Sequence, residues 1–311
     1  MRKLAIIALL LLLPSILLAQ RSRNRWRASR MEIQFGLGVS NFLGELGGAD
    51  AIGTDFVKDL ELSETNLAVE LALRYKLSQR MALNTHLTYG QVSGDDALTE
   101  EFFRNYRNLN FKSNIWELGT NFEFAFVREQ PGHRYRLRGV RGRRGFEIAV
   151  YGFVGVTAFY MNPKGELQKL VDGELVGTGE WVELQPLGTE GQGVEGSGKD
   201  KYNRLQVAIP MGVGFKYNFN REWGIQLQYG FRKTFTDYID DVSTVYYDNN
   251  SIAASNGFIA AQMADKSSGE YPYITAPGEQ RGDDSDKDTY MFATFSVVYK
   301  FRTGRSAYPL F

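Results

Sequence analysis

Between Arg204 and Thr236 the sequence keeps a two-residue period for longer than most soluble strands do. Leu205, Val207, Ile209, Met211, Val213, Phe215, Tyr217 and Phe219 share one face. Gln206, Ala208, Pro210, Gly212, Gly214, Lys216 and Asn218 share the other. After Asn220-Arg221-Glu222 the pattern resumes, with Trp223, Ile225, Leu227, Tyr229 and Phe231 opposite Gly224, Gln226, Gln228, Gly230 and Arg232. A period of two puts alternate side chains on opposite faces of a β-strand, whereas a helix repeats every 3.6 residues. Ordinary strands run about 5–6 residues, while roughly ten, tilted near 45°, cross the hydrocarbon layer of a bilayer. The non-apolar face mixes glycine with Gln, Lys and Arg. That suits the narrow polar interior of a small closed barrel, whose apolar face then meets lipid. A soluble sandwich is the competing architecture, and there glycine on a wetted face only weakens the strand.

The rest of the chain repeats this unit. Met31, Ile33, Phe35, Leu37 and Val39 alternate with Glu32, Gln34, Gly36, Gly38 and Ser40. Residues 67–77, 81–90, 116–126, 146–160 and 290–301 read as further strands, those of 146–160 with less cleanly separated faces. Connections after strands one, three, five and seven are long, and those after two and six are a few residues. Long and short connections alternating over an even strand count are the outer-membrane pattern, with short turns on the periplasmic side. The fold expected is therefore all-β: an eight-stranded antiparallel transmembrane β-barrel over residues 31–303 with long extracellular loops, 161–202 and 237–288 being the longest. Residues 99–106 read as a short helix in the loop after strand three. Tyr75, Phe126, Tyr217, Phe219, Trp223, Tyr299 and Phe301 are expected in an inner aromatic ring; Tyr89, Phe159, Tyr160, Tyr202, Phe235 and Tyr290 in an outer one.

Arg2 and Lys3, the apolar run Leu4 to Leu13 and the small Ala19 match the parts of a secretory signal peptide over residues 1–19. A retained membrane anchor is the alternative, although the run is short and interrupted by Pro14. Residues 20–30 form an arginine-rich tail on the periplasmic side, and 304–311 a C-terminal tail. The absence of cysteine from the 311 residues excludes disulfides, a thiol nucleophile and a lipidated cysteine.

By strand parity Glu32, Glu70, Glu117, Glu123 and Glu147 point inward, as do Arg74, Lys76, Lys216 and Arg232. Unpaired charges in a low-dielectric interior are costly, so they are expected to pair across the lumen as a structural plug. A conduction path or proton relay is the alternative use. Arg128, Arg134, Arg136, Arg138, Arg141, Arg143 and Arg144 crowd the fourth connection, on the same side as the tail. Such a single-sign face either docks an acidic protein partner or anionic outer-membrane lipid, or is simply solvated. His86 and His133 are the only histidines, and no Ser/His/acid spacing supports hydrolase chemistry. No catalytic residue, cofactor or nucleic-acid partner is expected. Residues 283–288 are acidic, but they lack the glycine and terminal Glu of a defined calcium loop.

Several loop stretches are more specific. Residues 182–193 (VELQPLGTEGQG), 230–247 (GFRKTFTDYIDDVSTVYY), 280–283 leading to Asp288-Thr289-Tyr290, 40–46 (SNFLGEL) and 162–165 (NPKG) resemble the PorG-like family. These are outer-membrane barrels of the type IX protein secretion system. The resemblance implies an integral outer-membrane component that is not an enzyme. It would tie a periplasmic ring, built of a lipoprotein and a ring subunit, to the membrane during export and, in some cells, gliding. The arginines of 134–144 form a longer segment than the family's pattern suggests. Within the shared motifs, Gly188, Gly191 and Gly193 are expected at backbone angles closed to other residues. Arg232, Lys233, Asp237, Asp240, Asp241, Arg281 and Asp283 are expected to anchor the last loop over the barrel mouth, Arg232 and Lys233 by pairing with the nearby aspartates.

Overall fold

The computed structural model describes residues 29–44, 46, 64–99, 101–129, 147–171, 174–220 and 222–301. The signal segment, most of the arginine-rich tail, the arginines at 134–144 and the C-terminal tail lie outside the described residues. Ten strands occur in chain order: β1 Met31–Leu43, β2 Asn66–Lys76, β3 Met81–Asp95, β4 Asn110–Val127, β5 Ile148–Tyr160, β6 Pro163–Val171, β7 Glu174–Glu183, β8 Leu205–Asn218, β9 Trp223–Thr234 and β10 Thr289–Phe301. Eight of them pair in the order β3-β2-β1-β10-β9-β8-β5-β4, and a further β3–β4 ladder closes the sheet. Every pairing is antiparallel. The expected eight-stranded barrel is the fold.

Closure satisfies the backbone groups that an open edge would leave bare in lipid. Alternation then sorts the side chains. Leu37, Leu71, Leu87, Leu118, Val156, Val207, Leu227 and Phe295, one from each barrel strand, are all exposed, Leu118 at 59% and Val156 at 62%. Their inward neighbours are buried, among them Gln34, Glu70, His86, Glu117, Thr157, Gln226 and Ser296. An apolar outside around a polar inside inverts a soluble barrel and demands an apolar solvent. Glycine inside the wall has a packing reason. At Gly214 a Cβ would collide with the Tyr151 ring, which lies across the lumen floor of β8.

Three aromatic assignments need correction. Tyr202, expected in the outer ring, instead packs on the loop-end core and stacks on Tyr238. Phe159 and Tyr290, expected in the outer ring, are fully buried inside the mouth and pack edge-on with centroids 5.3 Å apart. Aromatic residues at a strand end need not be anchors: Tyr290 has the inward parity of Arg232 and Phe292. Glu147 is also exposed rather than inward, because β5 begins one residue later and strand parity does not reach it.

Residues 161–202, expected as a loop, contain the β6–β7 hairpin, which continues the wall by pairing Lys112 with Lys164 and Ser113 with Pro163 beside β4. The last loop holds two short helices, α2 Asn249–Asn256 and α3 Phe258–Ala264. Helix α1, Phe102–Arg107, falls where the short helix was expected. The apolar core lies at the long-loop end, where Phe42, Leu46, Phe111, Ile115, Phe159, Met161, Ile239, Val242, Tyr290 and Phe292 form one cluster.

Candidate functional site: the lumen and its loop cap

Most of the inward charges expected to pair do so, in layers. Glu70 is the exception, its buried carboxylate making no ion pair or side-chain hydrogen bond among the described residues. At the short-turn end the Lys216 ammonium donates to both oxygens of Glu32, at 2.6 and 2.7 Å. Lys76 reaches Glu32 at 2.8 Å and also bonds Glu129. Glu129 further accepts from Asn218 at 2.6 Å and Lys300 at 2.9 Å. One layer in, Arg74 forms a two-pronged pair with Glu123 at 2.6 and 2.8 Å, and donates to Gln226 at 2.7 Å. Toward the loop end, Arg232 Nη2 lies 3.1 Å from Glu117 Oε1. The Glu117 carboxylate also meets His86 Nε2 at 2.8 Å and accepts from the Tyr290 hydroxyl at 2.6 Å. Charged hydrogen bonds with several partners per carboxylate offset much of the cost of desolvation.

Above the Arg232 layer the apolar cluster closes the barrel, and above that a polar node ties the loops together. Glu190 accepts from Arg281 Nη1 at 3.0 Å, from the backbone N–H of Ser243 at 2.9 Å and from the Thr244 hydroxyl at 2.7 Å. Arg281 also donates to the Asp241 carbonyl at 2.6 Å. The Asp241 carboxylate accepts from Thr189 at 2.5 Å and Tyr202 at 2.6 Å. Asp241 holds a left-handed φ of 69°, one of two such non-glycine residues among those described and a conformation that Asp tolerates better than most. Gly188, Gly191 and Gly193 have φ of 62°, 84° and 75°, as expected. A Cβ at Gly191 would press on the Tyr247 ring at 2.6 Å. Burial pushes the Asp241 carboxyl up to about 6 against the opposing pull of Arg281, and lifts Asp237 to about 6 as well. Burial likewise lowers Lys266 to about 8. Its ammonium donates to Asn110 Oδ1 at 2.7 Å and the Glu166 carbonyl at 2.9 Å, joining α3 to the barrel extension.

The sequence-selected residues separate into three groups. Arg281, Asp241, Asp240 and Asp237 meet in the cap: Asp240 accepts from the Leu46 N–H at 3.2 Å, and Asp237 from the Ser243 hydroxyl at 2.9 Å. Arg232 does not pair with these aspartates. Its side chain points down the lumen to Glu117, because position 232 has inward parity and a fully desolvated carboxylate is the stronger partner. Lys233 faces outward and donates to the Lys287 carbonyl, while Asp283 is exposed and accepts from Ser285. Of the seven arginines of the fourth connection, Arg128 alone is described; it is exposed and bonds the Gln79 side chain. Sequence reasoning missed Glu190, the hub of the cap. Its only signal was its place in the 182–193 stretch, between two glycines needed for tight turns.

A closed eight-stranded sheet with an apolar outside, an ion-paired inside and long loops at one end defines a transmembrane β-barrel of the outer-membrane kind. Residues 10–140, less than half of the chain, match a family model described as a domain of unknown function, DUF6089. Among curated protein sequences none matches the chain. Solved structures similar to it include Ail, the attachment invasion locus protein of Yersinia pestis, at 10% identity over 88% of this chain and 99% of that one, TM-score 0.37. Neisserial surface protein A is similar at 9% identity over 87% and 97%, TM-score 0.36. The N-terminal β-barrel of Pseudomonas aeruginosa OprF is similar at 9% over 88% and 98%, TM-score 0.30. The strand pairing, rather than these likenesses, carries the fold assignment.

Proposed function

We propose that the chain is an integral outer-membrane scaffold of a protein-export machine of the type IX kind. Its barrel acts as a fixed anchor for periplasmic ring subunits, not as a conduit, with the short turns and both tails in the periplasm. One observation carries the reading: the lumen is occupied by its own ion pairs and sealed above by the Ile239, Val242 and Phe292 cluster. A scaffold needs a rigid plug; a channel needs an open path. The loop stretches that carry the family resemblance, 182–193 and 230–247, are also the ones that build the cap around Glu190 and Asp241.

Deleting the gene and assaying cargo at the cell surface tests this. The expected result is lost export, restored by the intact gene, with no steady conductance from the purified protein in planar bilayers. Intact export with reduced solute uptake would instead support a small outer-membrane channel. A second reading, a surface-interaction barrel, is favoured by one feature. Phe102, Phe103 and Tyr273 stand exposed on the cap in a chain of ring contacts through Tyr106 and Tyr271. Loss of cell-surface adhesion with unaltered export, on replacing Phe102 and Phe103 by Ser, would select it.

A further inference from the structure

We propose that the short-turn mouth of the lumen is a binding cleft for a carboxylate side chain from an acidic protein segment. A cavity of about 50 Å³ opens there, with Arg74, Lys76, Arg80 and Lys216 in its lining against Glu123 and Glu129. Ala82, Ala125 and Ala149 supply small apolar walls. A water molecule needs about 10–15 Å³ of space measured this way, so the room takes a group of a few heavy atoms. The alanine walls beside the cations suit a carboxylate on a short apolar stem.

The mouth has positive charge to spare. Arg74, Lys76, Lys216 and Lys300 share three carboxylates, Glu32, Glu123 and Glu129. Arg80 adds a fifth cation whose guanidinium makes no hydrogen bond or ion pair among the described residues. The turn that carries Arg80 is ordered, because the Ser78 hydroxyl accepts from the backbone N–H groups of Arg80 and Met81 at 3.1 and 3.0 Å, and the exposed guanidinium stands at the rim of the cleft. Gln79, also in the lining, carries Arg128 on its side chain, extending the basic rim outward. A guanidinium with free donors beside desolvated ammonium groups is the arrangement that recognises a carboxylate, and steers an acidic partner toward it. Assigning that partner to the export machine rests on the function proposed above; the preference for carboxylates does not.

The test uses the full chain in nanodiscs of zwitterionic lipid and a fluorescent peptide of alternating Glu and Ser. Saturable binding is expected, with about a tenfold loss or more when Gln replaces Glu in the peptide. Arg80→Ser, at an exposed turn, should weaken binding to a similar extent. Ala125→Leu, which fills the cleft and leaves every charge in place, should do the same, with folding checked by the heat-dependent gel mobility of the barrel. Equal binding of the Gln peptide, or unchanged binding by both variants, overturns the proposal. So does binding that depends on phosphatidylglycerol in the disc, which would mark a lipid site. Normal export by Arg80→Ser alongside an export defect on deletion would remove the cleft's role and leave the scaffold function standing.

Discussion

Arg232 and Glu117 grip each other across the upper lumen at 3.1 Å, with both side chains at or below 1% exposure. The Arg232 guanidinium also lies over the Phe292 ring, 4.6 Å from its centroid, so this ion pair seats the apolar cluster above it. Removing one member leaves the other charge buried and unpaired, which costs about 3–5 kcal/mol in comparable pairs. Glu117→Gln and Arg232→Met should each lower the urea midpoint of unfolding, followed by the gel shift between folded and unfolded barrel. Replacing both at once should recover much of the loss. A double variant no better than the sum of the singles would show that the two residues act independently.

Arg281 joins three loop segments through Glu190, the Asp241 carbonyl and the Ala264 carbonyl. These side-chain bonds all go to loop residues, so the damage from Arg281→Gln should be local. The expected outcome is rapid protease cleavage within residues 237–288 while the barrel keeps its heat-shifted mobility. Breaking a buried charge pair of this kind costs about 3–5 kcal/mol, charged here to the cap alone. Loss of the folded barrel band would place the residue in the barrel's own stability and contradict this division.

The cap should also respond to pH. Burial, reinforced by Glu190, raises the Asp241 carboxyl from 3.8 to about 6, while Arg281, Thr189 and Tyr202 pull the other way. Asp237 rises to about 6 by burial, with Glu190 and Asp284 adding and Ser243 and Lys287 opposing. The folded cap therefore binds more protons than the unfolded chain between roughly pH 4 and 6. These groups' contribution is complete below pH 4 and is lost as pH rises through 6. Thermal loss of the near-ultraviolet dichroism from the stacked Tyr202 and Tyr238 rings, 4.7 Å apart, reports on the cap. Its midpoint should fall between pH 4 and 7, and Asp241→Asn should flatten that slope. A cap that tightens over the same window would refute the assignment.

How much was legible in the sequence follows from how local each signal is. Inward and outward parity needs only a strand's own residues, so Arg74, Glu117, Lys216 and Arg232 could be placed inside the barrel before any pairing was known. The β6–β7 hairpin was not legible, because its Gly177 and Gly179 and its register shift near Glu166 blur the two-residue period. Partner choice was the least legible. Arg232 lies five residues from Asp237 yet pairs with Glu117, 115 positions away, and strand order rather than sequence distance decides that. Glu190 was hidden for the same reason: its donors come from residues 243, 244 and 281.

The lipid-facing side of the barrel makes the most general demand on the fold. Leu118 is 59% exposed at mid-strand in β4, while its neighbour Glu117 is fully buried in the lumen. If the exposed face meets acyl chains, Leu118→Arg should destabilise the barrel by about 2–4 kcal/mol at the bilayer midplane, and less near the interfaces. Phe126→Arg at the short-turn end of the same strand, 60% exposed, should therefore cost less. The same pair in a water-facing sheet would each change stability by no more than about 0.5 kcal/mol, as surface substitutions usually do. Unfolding titrations in lipid vesicles decide between the two. A large penalty at Leu118 that shrinks toward Phe126 is the signature of a bilayer, and equal, small effects at both positions would mean that this face meets water.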